Sequence, residues 1–135
     1  MSLGNKAYEE MGKFTMSFIE SAEWHETVVN LSFASEIKGD SRWPSGTNMA
    51  SGTIYMHPGG KGHGKWRGIL TTKDGEMVSW NGIGRSKMVG NRRKGIMLIS
   101  FMTKSEKLSW MNSVICVHEV DTDMREFTGI SHEWE

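Results

Sequence analysis

The chain has a single cysteine, Cys116, and only two prolines in 135 residues. One cysteine cannot close an internal disulfide, which excludes a disulfide-stapled scaffold and points to a reducing compartment, the cytoplasm. Net charge is absent as well. Lysine and arginine number 16 and so do aspartate and glutamate, so no global field gathers nucleic acid or an anionic membrane. No run approaches the roughly 20 apolar residues that a membrane-spanning helix needs. Residues 1–12 lack the basic start and apolar stretch of a secretory signal. Missing too is any helix-period segment long enough to cross over between parallel strands. What remains is antiparallel β structure in one cytoplasmic domain, residues 1–135, with no nucleic-acid or membrane partner expected.

What the chain does have is period-2 alternation punctuated by turns. Eight strands are predicted from the pattern. The first is Lys13–Glu20, with Phe14, Met16 and Phe18 on one face. The second is Glu26–Lys38, where Val29, Leu31, Phe33 and Ile37 alternate with polar or small residues. A loop from Gly39 to Gly46 leads to the third, Met49–His57. Lys65–Thr72 and Met77–Ile83 form the fourth and fifth, Ile96–Thr103 the sixth, Trp110–Val120 the seventh and Phe127–Trp134 the eighth. Residues 1–12 read as a short irregular or helical extension stopped by Gly12. Short connections favour an up-and-down meander closed into a barrel, which leaves no open edge. A two-sheet sandwich is the competing arrangement.

The hairpin through Asp74-Gly75 carries the most local information. Asp-Gly between alternating runs is the signature of a type I′ turn, with positive φ at both central residues. That turn pairs Lys73 with Glu76, Thr72 with Met77, Leu70 with Ser79, Gly68 with Asn81 and Trp66 with Ile83. Trp66 then lies on one face and Trp80 on the other, beside Arg67, Ile69 and Val78. The sixth strand is also apolar on both sides, with Ile96, Leu98 and Met102 against Met97, Ile99 and Phe101. A barrel alone in water keeps its outer face polar, so a homo-oligomer is expected.

Each residue with chemistry also has a plainer role. His57 and His63 flank a glycine-rich turn and His118 and His132 occupy late strands, but no His-x-His pair followed by Glu gathers metal ligands. No metal or cofactor is expected. Gly59 to Lys65 imitates a phosphate loop but runs into a strand rather than a helix, so a wide hairpin turn is expected. Arg92-Arg93-Lys94 reads as a solvated turn. Cys116 lies two residues from His118 and could be a thiol nucleophile, although a small buried side chain accounts for it as well. With Leu108 opposite Thr103, Asn112 and His118 share a face with Trp110, Val114 and Cys116. Buried amide and imidazole groups among apolar walls make a ligand pocket if the lumen is hollow. The eleven methionines and six tryptophans suit either an ordinary core or an adaptable pocket.

Gly62-His63-Gly64-Lys65-Trp66-Arg67-Gly68, Asp74 to Trp80, Thr103 to Leu108, Asn112 and Glu133-Trp134 together resemble small uncharacterised prokaryotic proteins of the calycin-like, allene-oxide-cyclase-like barrel group. The resemblance covers residues 60–135. It implies an eight-stranded antiparallel barrel, often oligomeric, without an established activity. Lipocalins proper carry Gly-x-Trp near their first strand, whereas Gly64-Lys65-Trp66 here falls in the fourth. No catalytic residue is carried over, because fold does not carry function.

The combined expectation is a barrel that binds a small apolar or amphipathic molecule, with Trp66, Trp80, Trp110, Asn112 and His118 at the ligand and no catalytic residue assigned. The alternatives are an isomerase- or cyclase-type enzyme with a lipid-like substrate, and a filled barrel with a purely structural role.

Overall fold

The computed structural model describes residues 3–135. Eight antiparallel strands close into an up-and-down barrel in chain order: β1 Leu3–Glu23, β2 Glu26–Gly39, β3 Gly46–Met56, β4 Lys61–Thr72, β5 Met77–Val89, β6 Arg92–Met102, β7 Ile115–Thr122 and β8 Glu126–Trp134. A single 3₁₀ turn, Ser109–Ser113, joins β6 to β7. Alternation places Phe33, Ile37, Leu70, Trp80, Ile99 and Phe101 in one core inside the barrel.

Four sequence expectations change. Residues 3–12 are neither helical nor irregular but the first half of β1, hydrogen-bonded to both β2 and β8. Local propensity is overridden there because pairing on two sides turns Tyr8 and Glu10 into the lumen. A bulge at Ala7, where Lys6 pairs with His132 and Tyr8 with Ser131, lets two successive side chains be buried. The seventh strand starts five residues later than the sequence suggests, at Ile115, because Ser109–Ser113 curls into the 3₁₀ turn. Trp110 and Asn112 therefore leave the strand, and the opposite numbers of Ile99 and Met97 are Cys116 and His118.

The third change is the register of the central hairpin. Gly75 alone has positive φ (86°), and Asp74 does not. The Gly75 amide donates to Thr72 O at 2.9 Å, and the Thr72 amide to Glu76 O at 2.8 Å. The connection is thus a three-residue loop, a type I turn followed by a left-handed glycine, rather than a two-residue type I′ turn. One extra loop residue slides the ladder by one. Thr71 meets Met77, Gly68 meets Trp80 and Trp66 meets Gly82. Because side chains alternate, the slip puts Trp66 and Trp80 on the same, inner face. Each indole lies over a cross-strand glycine: a Cβ on Gly52 would stand 2.3 Å from Trp66 Cε3, and one on Gly68 would stand 2.7 Å from Trp80 Cε2.

The methionines also depart from expectation. Met11, Met16, Met49, Met77 and Met102 are exposed on the outer wall and Met88 at the rim beside Arg93, whereas Met111 is fully buried. Their enrichment belongs mainly to the surface. The first hairpin contributes as well. Beyond Phe14, whose amide reaches Arg125 O, β1 pairs with β2 only. Residues 15–20 are all exposed, and Met16, Phe18 and Ile19 stand on this free edge of β1, with Trp24 in the turn that ends it.

Candidate functional site

The lumen is plugged at one end and accessible at the other. At the plugged end, Trp43 from the β2–β3 loop, Leu108 and Met111 are all buried. Trp43 Nε1 donates to Glu133 Oε2 at 3.1 Å, and Arg42 Nη2 donates to Glu133 Oε1 at 2.6 Å. Arg42 also lies 4.0 Å over the Trp110 ring, which packs perpendicular to Trp43 with ring centres 4.9 Å apart. Toward the other end, inward positions are filled by small residues on β4–β6: Gly62, Gly64, Gly84, Ser86 and Gly95. Gly64, Gly84, Ser86 and Gly95, together with Val120 and Met124, remain partly exposed although they line the interior.

Between the ends lies a cavity of about 90 Å³. Its walls are Phe14, Phe33, Trp66, Trp80, Phe127 and Met97, with a few polar groups. At 10–15 Å³ for each water-sized occupant, the volume holds roughly six to nine such units. A single ring or short acyl chain fits that space. The aromatic side chains form a continuous lining: Phe14–Phe127 ring centres are 5.3 Å apart, Phe33–Phe127 4.8 Å and Phe33–Trp66 5.6 Å.

A polar network borders the cavity on the plugged side. Glu10, from β1, is buried and has three partners. Ser35 Oγ donates to Oε2 at 2.5 Å, Asn48 Nδ2 donates to the same oxygen at 3.2 Å, and His118 Nε2 lies 2.9 Å from Oε1. The histidine approach lacks hydrogen-bond geometry, and His118 Nδ1 and Ser131 Oγ find no partner among the described residues. Asn48 Oδ1 in turn accepts from Trp80 Nε1 at 3.1 Å. Burial alone would raise the Glu10 pKa, but His118, Ser35 and Asn48 outweigh it and hold the carboxyl below its usual range. Burial pushes the nearby Tyr8 phenol well above its ordinary value, so it stays protonated.

The residues named from sequence scatter over this frame. Trp66 and Trp80 line the cavity, and His118 is fully buried behind it, holding Glu10. Trp110 is part of the plug. Asn112 is exposed, and its amide clamps Thr103, accepting from the backbone N at 2.8 Å and donating to the carbonyl at 3.1 Å. Neither borders the cavity. Cys116 is fully buried and its thiol is pushed up to about 12, which leaves essentially no thiolate near neutrality. His57 and His63 lie 3.2 Å apart against Tyr55, and no group of three metal-ligating side chains converges among the described residues. The Gly59 to Lys65 segment is not a wide turn: only Gly59 and Gly60 lie in the β3–β4 connection, and Lys61–Lys65 already belong to β4, where Gly62–Lys65 pair with β3.

Sequence reasoning missed Glu10, Asn48, Tyr8 and Arg93. Glu10 and Tyr8 were hidden in a segment not read as strand. Arg93 was hidden by its neighbours: the alternating pattern of β6 buries it while Arg92 and Lys94 point outward.

Fold and site together define a small closed β-barrel with a partly hollow, aromatic lumen. No protein-family model matches the sequence, and no curated protein matches it. Solved structures share the fold. A β-barrel-like protein from Acinetobacter baumannii superposes with a TM-score of 0.83 at 13% identity, over 99% of this chain and 96% of that one. A protein of unknown function from Clostridium acetobutylicum gives 0.81 at 12% identity, over 97% and 98%. An enzyme from Penicillium herquei gives 0.67 at 14% identity, over 98% and 97%. At these identities the likeness establishes the fold alone. No helix among the described residues is long and apolar enough to cross a membrane.

Proposed function

We propose that this protein is a non-enzymatic, calycin-like barrel that binds a small apolar or amphipathic molecule in its lumen, and that it acts in the cytoplasm as a homo-oligomer. The observation that carries the binding reading is the aromatic cavity between a sealed end and an end lined by glycine and serine. A filled structural barrel would place bulky side chains at those positions. The cavity of about 90 Å³ is well below the roughly 300 Å³ of a drug-sized pocket, so the occupant is smaller than a lipid, or leaves its tail outside.

The enzyme alternative finds its best support in Glu10 at the cavity wall. A carboxylate already committed to three partners, with its pKa lowered, is a weak general base. That favours binding over catalysis. Oligomer formation is supported by the apolar side chains on the first hairpin and by the unpaired edge of β1 beyond Phe14.

Native mass spectrometry of protein purified from its own host, joined to tryptophan fluorescence over a panel of small apolar and amphipathic compounds, tests this reading. Ligand adducts and saturable quenching are expected. An adduct-free mass with a flat fluorescence response would replace it with the filled-barrel role.

A further inference from the structure

Three consecutive cations open β6, and the strand sorts them by alternation. Arg92 and Lys94 face outward and share Asp121, at 2.5 Å and 3.9 Å. Arg93 faces inward, where it is 8% exposed and borders the cavity. Among the described residues, no carboxylate pairs with it. Its contacts run from Nη1, which donates to Ser86 Oγ at 2.9 Å and to Gly60 O at 3.4 Å, while its buried Nε has no partner at all. Burial pulls its pKa down from the ordinary arginine value, yet a guanidinium remains charged at any physiological pH. A buried cation with an orphaned N–H is costly to maintain, and the cost is recovered when an anion arrives.

The surroundings are shaped around this group. A Cβ on Gly62 would stand 2.9 Å from Tyr55 O, 3.1 Å from Ser86 Oγ and 3.2 Å from Arg93 Nη1, so glycine clears the neighbouring backbone and also leaves the pair its space. A Cβ on Gly64 would stand 3.4 Å from Trp66 Nε1, so the indole N–H borders the gap that this glycine leaves. Ser86 accepts from Arg93, which frees its own hydroxyl proton to donate.

We propose that Arg93, with Ser86, is the headgroup site of the lumen's ligand and that this ligand is a small monocarboxylate with an apolar body. The inference rests on reading the lumen as a ligand site and names what it selects. One guanidinium fork and one hydroxyl suit a planar, singly charged carboxylate. A phosphate dianion would bring more charge than one cation balances. The aromatic walls take the apolar body, and the cavity volume limits it to about one ring.

The test is calorimetric titration of the full chain at neutral pH with benzoate, its neutral counterpart benzamide, and phenyl phosphate. Benzoate is expected to bind about 10- to 100-fold more tightly than benzamide, the range of a buried charge-assisted hydrogen bond. Arg93→Met should reduce benzoate to the benzamide level and leave benzamide unchanged. Should that variant fail to fold, Ser86→Ala and Arg93→Lys serve, each narrowing the preference for the acid without abolishing binding of the amide. Equal binding of benzamide and benzoate overturns the headgroup site while leaving the lumen as a ligand site. Tighter binding of phenyl phosphate overturns the monocarboxylate assignment. Binding of none of the three overturns both the headgroup site and the ligand-binding reading beneath it.

Discussion

His118 on β7 reaches across β8 to Glu10 on β1, bringing Nε2 within 2.9 Å of Oε1 in a fully buried setting. The two strands are not neighbours; β8 lies between them, and the ring passes over Gly129. A buried polar pair thus ties three strands together from inside the barrel. Its removal in halves is worse than its removal entire, because one remaining partner is left buried without compensation.

Glu10→Ala and His118→Ala should therefore each destabilise the fold by about 3 kcal/mol or more. The double variant Glu10→Met with His118→Leu should lose less than either. Urea denaturation of the three variants, with unchanged m-values, decides the matter. A double variant less stable than both single ones would show that the pair is worth more than its desolvation.

Gly129 is needed for that crossing. A Cβ there would stand 2.4 Å from His118 Nε2 and 2.7 Å from Cε1. Gly129→Ala should cost about 1–3 kcal/mol through forced displacement of the ring. With His118→Ala already in place the same substitution should be nearly neutral, since the clashing atoms are gone. Thermal melts of the single and double variants measure both; an equal loss in the two backgrounds would place the strain elsewhere.

The pH dependence follows from the lowered pKa of Glu10. In the unfolded chain the carboxyl titrates at about its ordinary 4.5, and in the folded chain it titrates lower. The unfolded state thus binds the proton first as pH falls. The stabilisation is complete above about pH 4.5 and drains away as pH drops through the folded-state value. Wild-type stability should decline on acidification below about 4.5, and Glu10→Gln should flatten that decline. Parallel slopes for the two proteins between pH 5 and 3 would exclude Glu10 as its source.

Association should depend on the unpaired edge of β1. Light scattering at micromolar concentration is expected to give a multiple of the 15.2 kDa chain mass. Phe18→Lys combined with Ile19→Lys should give the monomer, with fold stability within about 0.5 kcal/mol for each of these exposed sites. A clean monomer mass for the unaltered protein would remove the oligomer from the proposal.

The architecture was legible because it depends on local facts. Alternation in Glu26–Lys38, the short apolar run Ile96–Thr103 and the turn residues between strands are readable one segment at a time, and they lead to an antiparallel eight-stranded barrel. The Asp74-Gly75 turn was legible as a turn but not in its length. Whether one or two residues take positive φ is settled by the closing ladder, and that single residue brought Trp66 and Trp80, expected on opposite faces, onto the same inner face. The first strand escaped for a related reason. Asn5 to Met11 has no strong period of its own, and only β2 and β8 on either side make it extended.

By itself, then, the sequence determined the period, the turns, the absence of parallel crossovers and the antiparallel closure, since each follows from backbone chemistry over a few residues. The tertiary structure decided what meets inside. Glu10 and His118 are more than a hundred positions apart along the chain. Asn48 and Trp80 are joined from β3 and β5, and Arg93 is distinguished from Arg92 and Lys94 only by which way the closed wall turns it. Burial, and with it every shifted charge in the lumen, is a property of the closed barrel and of no segment taken alone.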